Sequence, residues 1–135
     1  MAIFLFKTEP TGYSFGDLVR QKRATWDGVS NALALIHLRT VKAGDSVVIY
    51  HSGKDKAAIG IAKVAKGTYA DPKLDDPRRV VVDLTPVIAL ARPVALAEIK
   101  ADAAFKTLEL VRNSRLSVMP MSEKQLARLM ELAAR

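Results

Sequence analysis

The feature that most constrains the fold is the stretch Ser46–Ser52, followed after Gly53-Lys54-Asp55-Lys56 by Ala57–Tyr69. Strand alternation puts Val47, Ile49 and His51 on one face of the first segment and Val48, Tyr50 and Ser52 on the other. Both faces begin apolar, so the strand must be covered on both sides, and both turn polar at the His51-Ser52 end. That pattern fits a barrel strand whose tip opens at a pocket. The second strand carries Gly60 between Ile59 and Ile61, and a glycine inside a strand marks a bulge, a sharp bend or a close backbone approach.

The rest of the chain supplies short elements to wrap this hairpin. Residues 2–6 are a buried apolar strand bounded by Pro10 and Gly12. Ser14 starts a helix, with Asp17 as a partial capping box, an apolar stripe of Phe15, Leu18 and Val19, and Arg20, Lys22 and Arg23 at its end. Asn31 caps a second helix running to Arg39. Its Leu33, Leu35, Ile36 and Leu38 crowd nearly all sides, which predicts a mostly buried helix. Val41–Asp45 is a turn, and Asp71–Arg78 is a loop. Val80–Leu84 is a strand ended by Pro86, with Val87–Leu90 continuing the sheet. Short helices are expected at Leu96–Ala101 and Ala103–Leu110, and a closing strand at Arg115–Pro120. Ser122 with Gln125 caps a last helix whose Leu126, Leu129, Met130 and Ala133 face the core. With no repeat, linker or composition shift, residues 1–135 read as a single α+β domain around a strongly curved sheet.

Charge and composition narrow the function. The 135 residues are 50% hydrophobic and 26% charged, as in a folded soluble protein. The absence of cysteine removes disulfides, thiolate metal sites and cysteine nucleophiles, and suits a reducing cytoplasm. Ala2–Phe6 is too short for a signal peptide or a membrane span, so no membrane is expected. The net charge is +7, and residues 1–69 hold a surplus of five positive charges against two in residues 70–135. Such a bias steers polyanions, nucleic acid above all. The histidines, His37 and His51, have no metal-ligand spacing, and no nucleotide-binding glycine pattern or nucleophile elbow is present. No metal, cofactor or catalytic residue is therefore assigned. His37, among Leu35, Ile36 and Leu38, reads as a hydrogen-bonded packing residue.

The sole tryptophan lies in Trp26-Asp27-Gly28-Val29-Ser30-Asn31. An isolated Trp is by default core filler. Here Asp27-Gly28 is turn chemistry, and an indole beside an acceptor and free amides can stack on a flat ring and read its polar edge. The expectation is a partly accessible pocket wall whose alanine variant still folds.

These residues, with Phe6-Lys7-Thr8-Glu9-Pro10, Tyr13-Ser14, Tyr50-His51-Ser52, Gly60-Ile61, Tyr69-Ala70-Asp71-Pro72, Arg92-Pro93-Val94 and Ser114–Val118, resemble the EVE domain family. The resemblance covers nearly the whole chain in order. It implies a PUA-like curved β-barrel with short surrounding helices, related to the ASCH and YTH domains. It also implies a reader of nucleic acid, DNA or RNA, with modified bases as ligands; the chain itself is expected to act as a monomer. Trp26, Asp27, Gly28, Val29, Asn31, Ser14, Tyr50, His51 and Ser52 would bind the base, and Lys7 and Arg115 would bind phosphate. The sequence departs from the family on the helix after Asn31. Ser30, Ala32, Leu33, Leu35 and Ile36 stand where polar residues are common, which reduces the polar contacts available there.

Two other function classes stay open at this stage. A small hydrolase or nucleotide-processing enzyme would use His51 as base with Asp27 orienting it. A protein-interaction module would use the stripe of the last helix. Lys7 could pair with Glu9 on the surface, Arg115 could cover a barrel end with its stem, and Tyr50 could be sheet packing.

Overall fold

The hairpin that dominates the sequence also dominates the molecule. In the computed structural model, which describes residues 1–135, it is formed by β3 (Ser46–His51) and β4 (Ala57–Ala70). Before it come β1 (Ile3–Thr8), α1 (Phe15–Gln21), β2 (Ala24–Trp26) and α2 (Ala32–Leu38). After it come β5 (Val80–Ala95), α3 (Leu96–Ala101), a 3-10 turn at Ala103–Phe105, α4 (Glu109–Arg112), β6 (Val118–Met121) and α5 (Glu123–Ala133). The six strands make one sheet in the order β2-β5-β4-β3-β1-β6. Only the β1–β3 pair is parallel.

The sheet is strongly curled, as expected. β1 and β2 stand four strand spacings apart, about 19 Å if the sheet were flat. Yet the rings of Phe6 on β1 and Trp26 on β2 have centroids 5.8 Å apart. Part of the bend lies at Gly60, where the β3–β4 register slips between Ile49 and Tyr50 and the β4–β5 register slips between Ala58 and Gly60. The Phe15 ring fills the space beside that glycine, and a Cβ there would stand 2.5 Å from Phe15 Cζ. Bulge and close approach coincide at this one residue.

The expected closed barrel is corrected by the strand order. β2 and β6 are both edges and do not pair. They are three and four residues long, too short to complete a staggered closure. Helix α2 instead packs against both β5 and β6 and occupies the gap.

Other differences have local causes. β5 runs on through Pro86, because β2 pairs only with Val82–Leu84 and leaves the rest of β5 an edge that needs no donor at that position. The region 103–110 breaks into the 3-10 turn and α4, and β6 starts only at Val118. Val19, Leu33, Ile36 and Met130 are exposed rather than core-facing, while Leu132 is buried. A short helix cannot bury its whole circumference, so α2 keeps only Ala34, Leu35 and Leu38 inside. Its His37 is half-buried, and the ring makes no hydrogen bond, contrary to expectation. The caps form as expected at Ser14, Asn31 and Ser122.

Candidate nucleic-acid interface

The sheet's curl leaves an open cleft of about 890 Å³ between the end of β1, the exit of α1 and the turn after β2. Four cationic residues line it, Lys7, Arg23, Lys73 and Arg115, against the single carboxylate of Asp27. Lys7 leaves β1 with its backbone N–H donating to Ser117 O at 2.9 Å. Its Nζ donates to the Ser114 carbonyl at 2.8 Å, which ties β1 to the 114–117 segment and keeps two donors free. Partial burial lowers the Lys7 pKa from the ordinary 10.5. Glu9 does not pair with it, and instead accepts from Thr11. Arg115, one residue beyond Ser114, is exposed at the same rim with its guanidinium free.

Trp26 forms the floor. It is 8% exposed and belongs to the hydrophobic core, so the expectation of a partly accessible wall is corrected. The indole is clasped by Phe6 and by Tyr13, whose ring meets it edge-on at 5.9 Å and 84°. Core filler and pocket floor are here the same residue, because a curled sheet puts its inner face at the cleft. Beyond Trp26 the chain turns outward. Asp27 and Gly28 are exposed, and Gly28 has φ +81° with open space where a side chain would stand. Val29 is buried, and its carbonyl accepts from Arg79 Nε at 3.0 Å, pinning the turn. Asn31 lines the cleft, but its Oδ1 is committed to the N–H of Ala34 as the α2 cap.

The structure thus brings Lys7, Arg115, Trp26, Asp27, Gly28, Val29 and Asn31 around one cleft. It places Ser14, Tyr50, His51 and Ser52 elsewhere. Ser14 Oγ caps α1 through the N–H of Asp17. Tyr50 is buried in the sheet, and that burial raises its pKa. The Ser52 N–H donates to Thr8 O, extending the β1–β3 ladder. His51 Nε2 accepts the N–H of Phe15 at 3.0 Å, and its Nδ1 lies 3.1 Å from Asp55 Oδ2. Both ring nitrogens are therefore spent on closing the end of α1 and the β3–β4 turn. The His51–Asp27 pair considered for hydrolysis is not assembled.

Several cleft residues were not singled out. Tyr13 is half-buried and its hydroxyl donates to Gln21 Oε1 at 2.6 Å, so the aromatic neighbour of Ser14 is the one that faces the cleft. Thr25 and Arg23 hang from Asp83 on β5. Thr25 Oγ1 donates to Asp83 Oδ1 at 3.0 Å, Tyr69 OH donates to the same oxygen at 2.5 Å, and an Arg23 nitrogen lies 2.9 Å from Oδ2. Burial pushes the Asp83 carboxyl up, but the hydrogen bonds from Tyr69, Arg23 and Thr25 outweigh it and hold the pKa below the ordinary value. No sequence signal marks this cluster, because only the β2–β5 register makes Thr25 and Asp83 direct cross-strand partners.

Comparison with known proteins places this chain in a wider set. The EVE domain family model matches residues 2–132. Thymocyte nuclear protein 1 from Homo sapiens is 29% identical, over 90% of this chain and 69% of that protein. The crystal structure of the human THYN1 protein in complex with 5-methylcytosine containing DNA has a TM-score of 0.90 and 28% identity, covering 100% of this chain and 99% of that one. An NMR structure of a Rhodopseudomonas palustris protein has a TM-score of 0.93 and 31% identity, covering 99% and 94%.

Proposed function

The chain belongs to the EVE domain family, and from that premise we propose that it is a non-catalytic nucleic-acid-binding module taking a modified base into the cleft beside Trp26. The DNA-bound human relative, matched over the whole chain, carries this reading, with 5-methylcytosine as the first base to test. The chemistry of the cleft supports it. Free amides and the Asp27 carboxylate at the turn suit the polar edge of a base, while half-buried Tyr13, with the small part of Trp26 left uncovered, offers π-surface. Lys7 and Arg115 suit the phosphate, and Lys73 stands on the same rim. Ser14, Tyr50, His51 and Ser52 act as the frame of the site in this reading, and residues 1–135 act as one domain.

Oligonucleotides that differ by one methyl group test the proposal. A buried methyl contributes about 0.8 kcal/mol, so affinity should rise about fourfold on methylation. Single strands should bind better than intact duplex, since extruding a base costs a few kcal/mol. Equal affinity for methylated and plain cytosine would overturn the reader, and turnover of the oligonucleotide would replace it with the hydrolase. The compartment follows the ligand. The mammalian relatives are named nuclear proteins rather than cytoplasmic ones, and no helix here is long and apolar enough to cross a membrane.

A further inference from the structure

A second groove, of about 400 Å³, runs along the outer face of α2. Ser30 lines both this groove and the cleft, so the two meet at the turn after Trp26. One wall is apolar: Ala32, Leu35 and Ile36, with Ile36 55% exposed. The facing wall comes from the loop before β5 and the end of α2, and it is cationic, with Arg39, Arg78 and Arg79 against the lone carboxylate of Asp76.

The cations are held in place by bonds that leave donors over. Arg39 spends one terminal nitrogen on the Arg78 carbonyl at 2.7 Å. Arg79 spends Nε on the Val29 carbonyl, which couples this wall to the turn of the cleft. Arg78 is paired with Asp76 at two points, through Nε at 3.1 Å and a terminal nitrogen at 3.2 Å. An arginine has five N–H donors, so Arg39 and Arg79 keep terminal donors with no partner in the protein. The family's usual polar residues are missing from the helix side of this groove, yet positive charge stands directly opposite.

We infer that this groove is a second subsite, which holds the nucleotides flanking the base in the cleft, with their phosphates on Arg39, Arg78 and Arg79 and their bases or sugars on Ile36 and its neighbours. The inference rests on the nucleic-acid reading of the cleft and names the path the strand takes away from it. The dimensions agree. Seven residues of α2 extend about 10 Å at 1.5 Å each, and a stacked strand advances about 3.4 Å per phosphate. The groove therefore spans on the order of three phosphates. An apolar wall opposite a cationic one is the pairing a single strand needs, with stacking on one side and charge on the other. A basic groove serving an acidic peptide would gain nothing from its junction with a base-sized cleft at Ser30.

The test compares a long and a short ligand. The long probe is a single-stranded nine-nucleotide DNA with one central 5-methylcytosine. The short probe is 5-methyl-2′-deoxycytidine 5′-monophosphate, followed by NMR shifts. The Arg39→Gln/Arg78→Gln double variant should weaken the long probe roughly tenfold and lower its salt slope by about 1.4, at about 0.7 per phosphate contact on single strands. The short probe should bind as before. Ile36→Glu should also weaken the long probe and lower its salt slope, because it removes the apolar seat and sets a carboxylate beside the phosphates, while the short probe binds as before. An unchanged salt slope for the long probe in both variants, with Lys7→Ala still weakening it, would overturn the groove and leave the cleft standing. An equal loss for the short probe would also overturn it, since the arginines would then be shaping the cleft. If neither probe binds the unaltered protein, the reading of the cleft fails, and the groove fails with it.

Discussion

The turn after Trp26 and the end of β3 look alike in sequence, since each follows a buried aromatic residue with a short polar tail. In the structure they are opposites. At Tyr50-His51-Ser52 the imidazole and the backbone are consumed, with both histidine nitrogens engaged by Phe15 and Asp55 and the Ser52 N–H by Thr8, and none of the three residues lines the cleft. At Asp27-Gly28 the backbone turns through a left-handed glycine into open space, and the Asp27 carboxylate makes no bond within the protein. Residue type does not separate a site from a structural joint here. What separates them is whether the hydrogen-bonding capacity left unspent faces the cleft, as it does only at Asp27-Gly28.

The largest test of that contrast is Trp26→Ala. Because the indole is core as well as floor, its loss should destabilise the fold by about 3–5 kcal/mol, read as a fall in denaturation midpoint, and should weaken ligand binding too. Were the variant as stable as the parent, Trp26 would be a pure binding wall and the burial argument would break. His51→Ala comes next. It strands the buried N–H of Phe15, so stability should drop by about 1–3 kcal/mol, while nucleic-acid affinity per folded molecule stays constant. A variant that folds normally but no longer binds would restore His51 to the site.

Lys7→Ala should act in the reverse sense, with little change in stability and a salt slope reduced by about 0.7 on single strands. Partial burial lowers the Lys7 pKa from 10.5, so the charge is full below the folded value and lost as pH rises through it. Affinity should accordingly fall on the alkaline side before an exposed lysine would titrate, and Lys7→Arg should abolish that fall. The smallest effect is expected from Gly28→Ala, where no atom obstructs the new methyl. Only the left-handed backbone opposes it, at a cost on the order of 1 kcal/mol. A larger loss of binding than of stability would show that the backbone there approaches the ligand.

Much of the fold was legible because its signals are local. Ser14 with Asp17, Asn31, and Ser122 with Gln125 announce helix starts through bonds to the next turn, and all three caps form. Gly60 announced a bend or a close approach, and the slipped register and the Phe15 ring give it both. Legibility failed where the answer lay in distant partners. Nothing near Pro86 says that β2 is too short to cover β5, and nothing near His51 says that Phe15 will need an acceptor. Ser14 and Tyr13 are adjacent, yet the cap took one and the cleft took the other.

The sequence by itself determined the periodicities, the caps, the cationic surplus of the first half and the resemblance to the EVE domain, since each depends on residue order and on bonds within a few positions. Only the tertiary structure decided that the sheet stays open, with α2 standing between β5 and β6. It alone brought Lys7, Arg23, Lys73 and Arg115 to one rim, from four segments spread over more than a hundred residues. The physical reason is that a site is made by the groups folding leaves unpaired, and pairing is settled only when the whole chain has competed for each donor and acceptor.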